Sequence, residues 1–181
     1  MLGTAIRWLA EAPCGRRHIL LTPVRPWGDP LLRRYAADGS VGIGSGLGIA
    51  PGPVLCVGPS LGLLAEARRL ADGTRLAVVD WTVPPVHGWA AATGALDLAT
   101  GIAAPPPPAA AYAALEELLL IGFTGAEPAL RRRRTRATDL LARAGFDLHY
   151  VQTYLVARGL DATATYGAAR FFRPPVWSPR W

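Results

Sequence analysis

Lysine is absent from this chain, and all 19 of its basic residues are arginine. A genome rich in guanine and cytosine would produce this bias, because it favours codons for arginine, alanine, glycine and proline. Selection for guanidinium groups, which match phosphate with paired hydrogen bonds, would produce the same bias. The 13 acidic residues leave a net charge of +6, which is compatible with a polyanionic partner without identifying one.

Charged residues of both signs are also scarce, at 18% of the chain against about 25% in typical soluble proteins. Hydrophobic residues make up 51%, so intrinsic disorder is not expected over most of the length. A chain of 181 residues buries roughly 70% of its unfolded surface and needs no disulfide or metal to fold. We therefore expect one domain, or one domain with a small appended module.

Cysteine is nearly absent, since Cys14 and Cys56 are the only two and lie far apart. His18, His87 and His149 are equally isolated, so the sequence predicts no metal site. Cys56 falls within an apolar strand pattern, which predicts a small core residue. Such sparing use of cysteine favours a reducing compartment, and we expect a cytoplasmic location.

Charge is missing altogether from residues 39–65, a stretch long enough to cross a bilayer. The stretch also holds three prolines and several glycines, which would break a transmembrane helix. The first residues lack the basic start and the unbroken apolar run of a secretory signal, because Glu11 interrupts them. The sequence therefore predicts no membrane span.

The clearest organisation in the chain is a β-α-β pattern. Apolar runs at 54–57 and 76–79 predict buried strands, and the apolar spacing over 61–71 predicts a helix between them. This connection implies a right-handed crossover and a parallel sheet. An apolar run at 18–22 predicts an earlier strand, while the glycine-rich segment 41–53 predicts a flexible loop or a bent strand. The predicted fold class is α/β: a small, mostly parallel sheet with flanking helices, a Rossmann-like unit around residues 54–80 and a helical C-terminal half.

The domain organisation follows from shifts in composition. Residues 1–104 are expected to form the α/β domain, and the four prolines at 105–108 a polyproline spacer. Residues 109–170 are expected to form a basic helical segment packed on that domain. Alternatively, the whole chain forms a single three-layer α/β domain. A helix is predicted over 87–99 despite Gly88 and Gly94. The tail, 171–181, carries Trp177 and Trp181, which we expect to dock on the protein itself or on a partner.

The turn at residues 58–62 is the main candidate for a ligand site. The start of a helix presents unpaired amides and a partial positive charge. Gly58 and Gly62 allow a ligand to approach the backbone closely. With Ser60 between them and Asp80 after the next strand, the pattern predicts a site for a nucleotide-like or other anionic small ligand.

Residues 54–62, Val-Leu-Cys-Val-Gly-Pro-Ser-Leu-Gly, resemble the first motif of class I methyltransferases. The resemblance implies an adenosine-type ligand, possible transferase activity, and a ribose contact from Asp80 at the end of the next strand. Cys56 and Ser60 stand where that motif usually has an acid and a glycine.

The same turn satisfies G-x-S-x-G and resembles the nucleophile elbow of α/β-hydrolases. That resemblance implies Ser60 as nucleophile and His149 as base, with Asp97, Asp139 or Asp147 as the acid. Asp147 and His149 are two residues apart on one predicted helix and therefore point in different directions. A third interpretation is that Ser60 only caps the helix that follows it.

An arginine run at 131–134, followed by Arg136, lies within a helix predicted over 129–144. Consecutive residues surround a helix, but Arg132 and Arg136 share a face at i, i+4 and would suit contact with nucleic-acid phosphates. The alternative is a solvated helix with ion pairs to Glu116, Glu117 or Glu127. A non-catalytic structural or interaction role is a further alternative, and the sequence does not decide whether the chain is an enzyme.

Overall fold

The computed structural model describes residues 1–11, 18–23, 28–38, 40–42, 50–80 and 86–172. The chain divides into two compact units, Met1–Pro85 with Leu96–Ile102, and Val86–Ala95 with Ala103–Trp181. The predicted spacer at 105–108 lies in the second unit. Predictions for Cys14, Trp177 and Trp181 fall outside the described residues.

The first unit contains a small parallel sheet with helices. Its elements are α1 Leu2–Ala10, β1 Ile19–Leu21, α2 Pro30–Asp38, β2 Ser40–Gly42, β3 Val54–Val57, α3 Leu61–Leu70 and β4 Leu76–Val79. The strand order is β2-β1-β3-β4, and every neighbouring pair is parallel. The predicted α/β fold with a small parallel sheet is confirmed at this level.

Both faces of the sheet are covered by helices. On one face, residues of α1 and α2 pack with alternate strand residues: Leu20, Leu55, Val57, Ala77 and Val79. On the other face, α3 packs with the residues between them: Ile19, Leu21, Val54 and Cys56. Burial on both faces is the reason that β1 and β3 are uniformly apolar instead of alternating with polar residues.

Helix α1 is held at its C-terminal end by Arg75, the residue immediately before β4. Arg75 donates a hydrogen bond from Nη1 to the carbonyl oxygen of Trp8. The Arg75 guanidinium carbon also lies 4.9 Å from the centre of the Trp8 ring. A cation at a helix C-terminus is favourable because the last carbonyls are unpaired and carry partial negative charge.

The second unit is helical in the part of the chain that is described. Its elements are α4 His87–Thr93, α5 Ala109–Ile121, α6 Pro128–Arg143, α7 Leu148–Ala157, α8 Ala162–Thr165 and a 3-10 helix at Tyr166–Arg170. Helix α4 ends before the predicted residue 99, because Gly94 adopts a left-handed conformation with φ 61° and terminates it.

Helix α7 is the centre of the second unit. Its residues from Val151 to Ala157 are all buried, and it packs against α4, α5 and α8. Gly88 of α4 lies so close to α7 that an added Cβ would be 1.9 Å from the carbonyl oxygen of Tyr150. Asp147 starts α7 as an N-cap, accepting a 2.6 Å hydrogen bond from the Tyr150 amide.

None of the described helices combines the length and the apolar composition that a membrane crossing requires. The described part of the uncharged stretch 39–65 instead includes β2, β3 and the first turn of α3.

Candidate ligand site at the carboxyl edge of the sheet

The strand order creates a point where the chain changes direction across the sheet. From β1 the chain passes through α2 to β2 on one side, and from β3 through α3 to β4 on the other. Since these crossovers run in opposite directions, α2 and α3 lie on opposite faces. The carboxyl ends of β1 and β3 are therefore adjacent, and the strand order changes direction between them. Of the two crossover helices that the structure describes, α2 and α3, each packs on a different face.

The glycine turn leaves the sheet at this point. Gly58 follows β3 directly and has φ 58°, a left-handed conformation that costs glycine little. Its amide donates a 2.9 Å hydrogen bond to the carbonyl oxygen of Val79 in the neighbouring strand. The predicted turn is therefore present, and it begins next to Asp80, which follows Val79.

Ser60 is the N-cap of α3. Its backbone is extended, with φ −83° and ψ 168°, and its Oγ accepts a 3.3 Å hydrogen bond from the Leu63 amide. The capping interpretation of Ser60 is therefore confirmed, and its side chain is exposed. The first two helical amides, those of Leu61 and Gly62, have no intrahelical acceptor, and Gly62 is only half-buried. An amide without an intrahelical acceptor is a hydrogen-bond donor left for a group outside the helix.

Asp80 and Cys56 lie close enough to influence each other. Burial, and secondly the negative charge of Asp80, raise the pKa of the Cys56 thiol to about 12. Cys56 is a buried core residue, as predicted. Its raised pKa keeps the thiol protonated at neutral pH, so it is not a reactive thiolate. Side chains alternate between the two faces along β4, so residues 78 and 80 are expected on the same face. Val78 packs on the face that α3 covers, and Asp80 is therefore placed on that face. The carboxylate and the start of α3 are consequently on the same face of two adjacent strands.

The residues implied by the hydrolase resemblance are distributed over both units. Ser60 and Asp97 belong to the first unit, whereas Asp139, Asp147 and His149 belong to the second. Asp147 is engaged in capping α7. In the described segments, the buried His149 Nε2 has no hydrogen-bond partner, and none of these acids is bonded to it.

Asp97 is engaged within its own loop. It accepts a 2.8 Å hydrogen bond from the Ala99 amide, and this bond is the main reason that the pKa of Asp97 is lowered. The carboxylate therefore stays ionised and contributes to the local turn.

The arginine run divides into residues with different surroundings. Arg132 and Arg136 are exposed, and neither forms an ion pair with any residue in the described ranges. Arg133 pairs with Glu117 at 2.8 Å, which confirms one of the predicted ion pairs. Glu116 pairs with Arg158 at 3.2 Å.

Arg134 has a structural role that the sequence interpretation missed. Its side chain is 1% exposed, and its guanidinium donates to four backbone carbonyls, those of Ile121, Gly122, Thr124 and Gly125. A signal was available, because Arg134 shares the i, i+3, i+4, i+7 spacing with three buried residues, Ala137, Thr138 and Leu141. Arg134 therefore lies on the buried face of α6.

No cluster of three or more histidine, cysteine, aspartate or glutamate side chains suited to a metal occurs among the residues described. Comparisons with protein-family models, with curated proteins and with solved structures give no match for this chain.

Proposed function

We propose that the chain binds a nucleotide-like small molecule at the carboxyl edge between β1 and β3. The observation that carries the proposal is the strand order β2-β1-β3-β4, with the glycine turn directly after β3. In doubly wound sheets, ligands bind at the switch point in strand order, outside the carboxyl ends of the strands. The Rossmann-like character predicted for residues 54–80 belongs to this proposal.

The start of α3 would bind an acceptor or anionic group of the ligand. The amides of Leu61 and Gly62 have no intrahelical acceptor and lie at the positive end of a ten-residue helix; Leu61 is buried and Gly62 half-buried. Gly58, which is buried, adds no side chain at the start of this turn. A charge held at a helix N-terminus contributes about 0.3–1 kcal/mol, so this contact alone does not provide tight binding.

Asp80 would supply the second anchor. Its carboxylate can accept hydrogen bonds but cannot donate them when ionised, so it suits a donor group such as a ribose hydroxyl. The site thus offers an acceptor at Asp80 and donors at the start of α3. A nucleoside with a free diol and a polar or anionic substituent matches both, and this is the reason to favour a nucleoside-type ligand over a simple anion. The choice of adenosine among nucleosides comes from the resemblance of residues 54–62 to the first motif of class I methyltransferases.

The site is compatible with a transferase-type reaction in which the second substrate supplies its own nucleophile. The Cys56 thiol is buried and protonated, and the Ser60 oxygen accepts the cap hydrogen bond from Leu63. Neither group is arranged as an activated nucleophile.

Thermal denaturation with adenosine, AMP, ATP and S-adenosylhomocysteine tests the proposal. A ligand present at about one hundred times its Kd should stabilise the fold by about 2.7 kcal/mol. For a chain of this size, that stabilisation corresponds to an increase in Tm of roughly 5–10 °C. If none of these compounds raises Tm, the proposal of a nucleotide-like ligand is wrong.

Two comparisons isolate the contribution of Asp80. Asp80→Ala should weaken the binding of the active ligand about tenfold or more, because a hydrogen bond to a charged group is lost. The control is Asp72→Ala, which removes an exposed acid beyond the other end of α3. In the wild type, 2′,3′-dideoxyadenosine should bind more weakly than adenosine, and Asp80→Ala should remove that difference. An unchanged preference in Asp80→Ala would exclude the ribose contact.

A further inference from the structure

We infer that α6 carries a nucleic-acid contact surface formed by Arg132, Arg136 and Arg143, the arginine stripe. All three side chains are exposed. At 3.6 residues per turn they lie within about 40° of one another around the helix axis, and they extend over about 16 Å along it. The proposal is independent of the small-ligand site in the first unit.

The surroundings of α6 keep this stripe facing outward. Arg134 projects from the buried face and binds the carbonyls at the end of α5, while Arg133 pairs with Glu117. These contacts fix the rotation of α6 about its axis. The arginine stripe therefore lies on an exposed face of α6, and its guanidinium groups form no ion pair with other described residues. Arg143 donates a 3.2 Å hydrogen bond from Nε to the backbone carbonyl of Asp139.

Most acidic residues of the second unit are engaged elsewhere. Glu116 and Glu117 pair with arginines, and Asp147 and Asp161 accept hydrogen bonds from helix amides as N-caps. Two acids lie nearer the stripe: Glu127, exposed just before α6, and Asp139, half-buried on the face of the stripe itself. With Asp139 counted against its three arginines, the face retains a net positive charge.

The positive charge of the arginine stripe and its length along α6 indicate the kind of molecule that it would bind. Guanidinium groups bind phosphate oxygens through paired hydrogen bonds. Three such groups in a row over about 16 Å exceed the reach of one small anion but match successive phosphates of a nucleic-acid backbone. Phosphate contacts position a protein without reading sequence, so we expect binding with little base preference.

Fluorescence anisotropy with a short labelled DNA duplex and the matching single strand, across a salt titration, tests the stripe. Arg132→Ala/Arg136→Ala should reduce affinity by about tenfold at low salt and make the slope of log affinity against log salt shallower by about 1.8. Asp139→Asn, which removes the acid on the same face, should bind more tightly than the wild type.

The matched control is Arg131→Ala/Arg170→Ala, which removes the same charge from two exposed arginines outside the stripe. It should retain most of the affinity, and a loss equal to that of the stripe variant would overturn the proposal. Arg132→Gln/Arg136→Gln, which keeps much of the side-chain length, replaces the alanine variant if that variant does not fold. Equal binding to vesicles of anionic phospholipid at the same charge concentration would also overturn the assignment to nucleic acid.

Discussion

Arg134 of α6 donates a 2.7 Å hydrogen bond from Nε to the carbonyl oxygen of Gly122, the residue at which α5 ends. The same guanidinium reaches Gly125 from Nη1 at 2.9 Å, and its centre lies 5.7 Å from the ring of Phe171. One buried cation thus satisfies the unpaired carbonyls at the end of α5 and joins two helices. The carbonyls at a helix C-terminus carry partial negative charge, which compensates for the burial of the guanidinium.

Arg134→Met should lower the free energy of unfolding by about 3 kcal/mol or more, because several buried carbonyls lose their donors. Arg133→Met is the neighbouring control. It removes only an exposed ion pair with Glu117 and should cost less than about 1 kcal/mol. Chemical denaturation of both variants measures the difference, and equal costs would contradict the structural role of Arg134.

Gly88→Ala should destabilise the second unit strongly. The added Cβ would lie 1.9 Å from the Tyr150 carbonyl oxygen and 2.6 Å from Thr153 Oγ1, so α4 and α7 would have to separate. We expect a cost of about 3 kcal/mol or more. Gly3→Ala, in α1 with open space around it, should instead be neutral or stabilising by up to about 1 kcal/mol. Calorimetric melting of the two variants provides the comparison.

Ser60→Ala should cost about 1 kcal/mol, because the Leu63 amide loses its cap. A capping serine with no base bonded to it is not an activated nucleophile, so wild-type protein should not be labelled at residue 60 by a fluorophosphonate probe. Mass spectrometry of the treated protein decides the point, and labelling that disappears in Ser60→Ala would restore the hydrolase interpretation.

Cys56 should make stability fall at alkaline pH. Burial raises the pKa of its thiol from an ordinary value of 9.0 to about 12, so the unfolded chain loses this proton first. The stabilising contribution is fully present below pH 9 and is lost as pH rises towards 12. Chemical denaturation at a series of pH values should give a shallower decline for Cys56→Ala than for the wild type. Identical declines would contradict burial of the thiol.

The sequence predicted the parts of the fold that depend on local pattern. The predicted strands at 54–57 and 76–79 and the helix between them lie at β3, β4 and α3. Burial on both faces of a parallel sheet makes such strands continuously apolar, and that pattern is visible in one short window. The cap at Ser60 is likewise among the interpretations that the sequence supports, since Ser60 precedes an apolar helical repeat.

The strand order and the role of Arg134 depend on contacts between distant residues. Pairing of β1 with β3 joins segments separated by β2 and a glycine-rich stretch, and no local pattern specifies it. Charge groups Arg134 with its neighbours in the sequence, although its spacing from Ala137 and Leu141 places it with the core. Because a buried arginine is rare, the charge pattern favours an exposed position and the periodicity favours a buried one.

The proposal of a ligand site depends most on the amides at the start of α3. Two-dimensional NMR of labelled protein, titrated with AMP, reports on them directly. Binding should shift mainly the amide resonances of Gly58, Leu61, Gly62 and Asp80, with little change at Gly73 beyond the other end of the helix. If adding adenosine, AMP and ATP in turn leaves the resonances of residues 58–62 unmoved, this edge of the sheet does not bind nucleotides and the proposed ligand site is wrong.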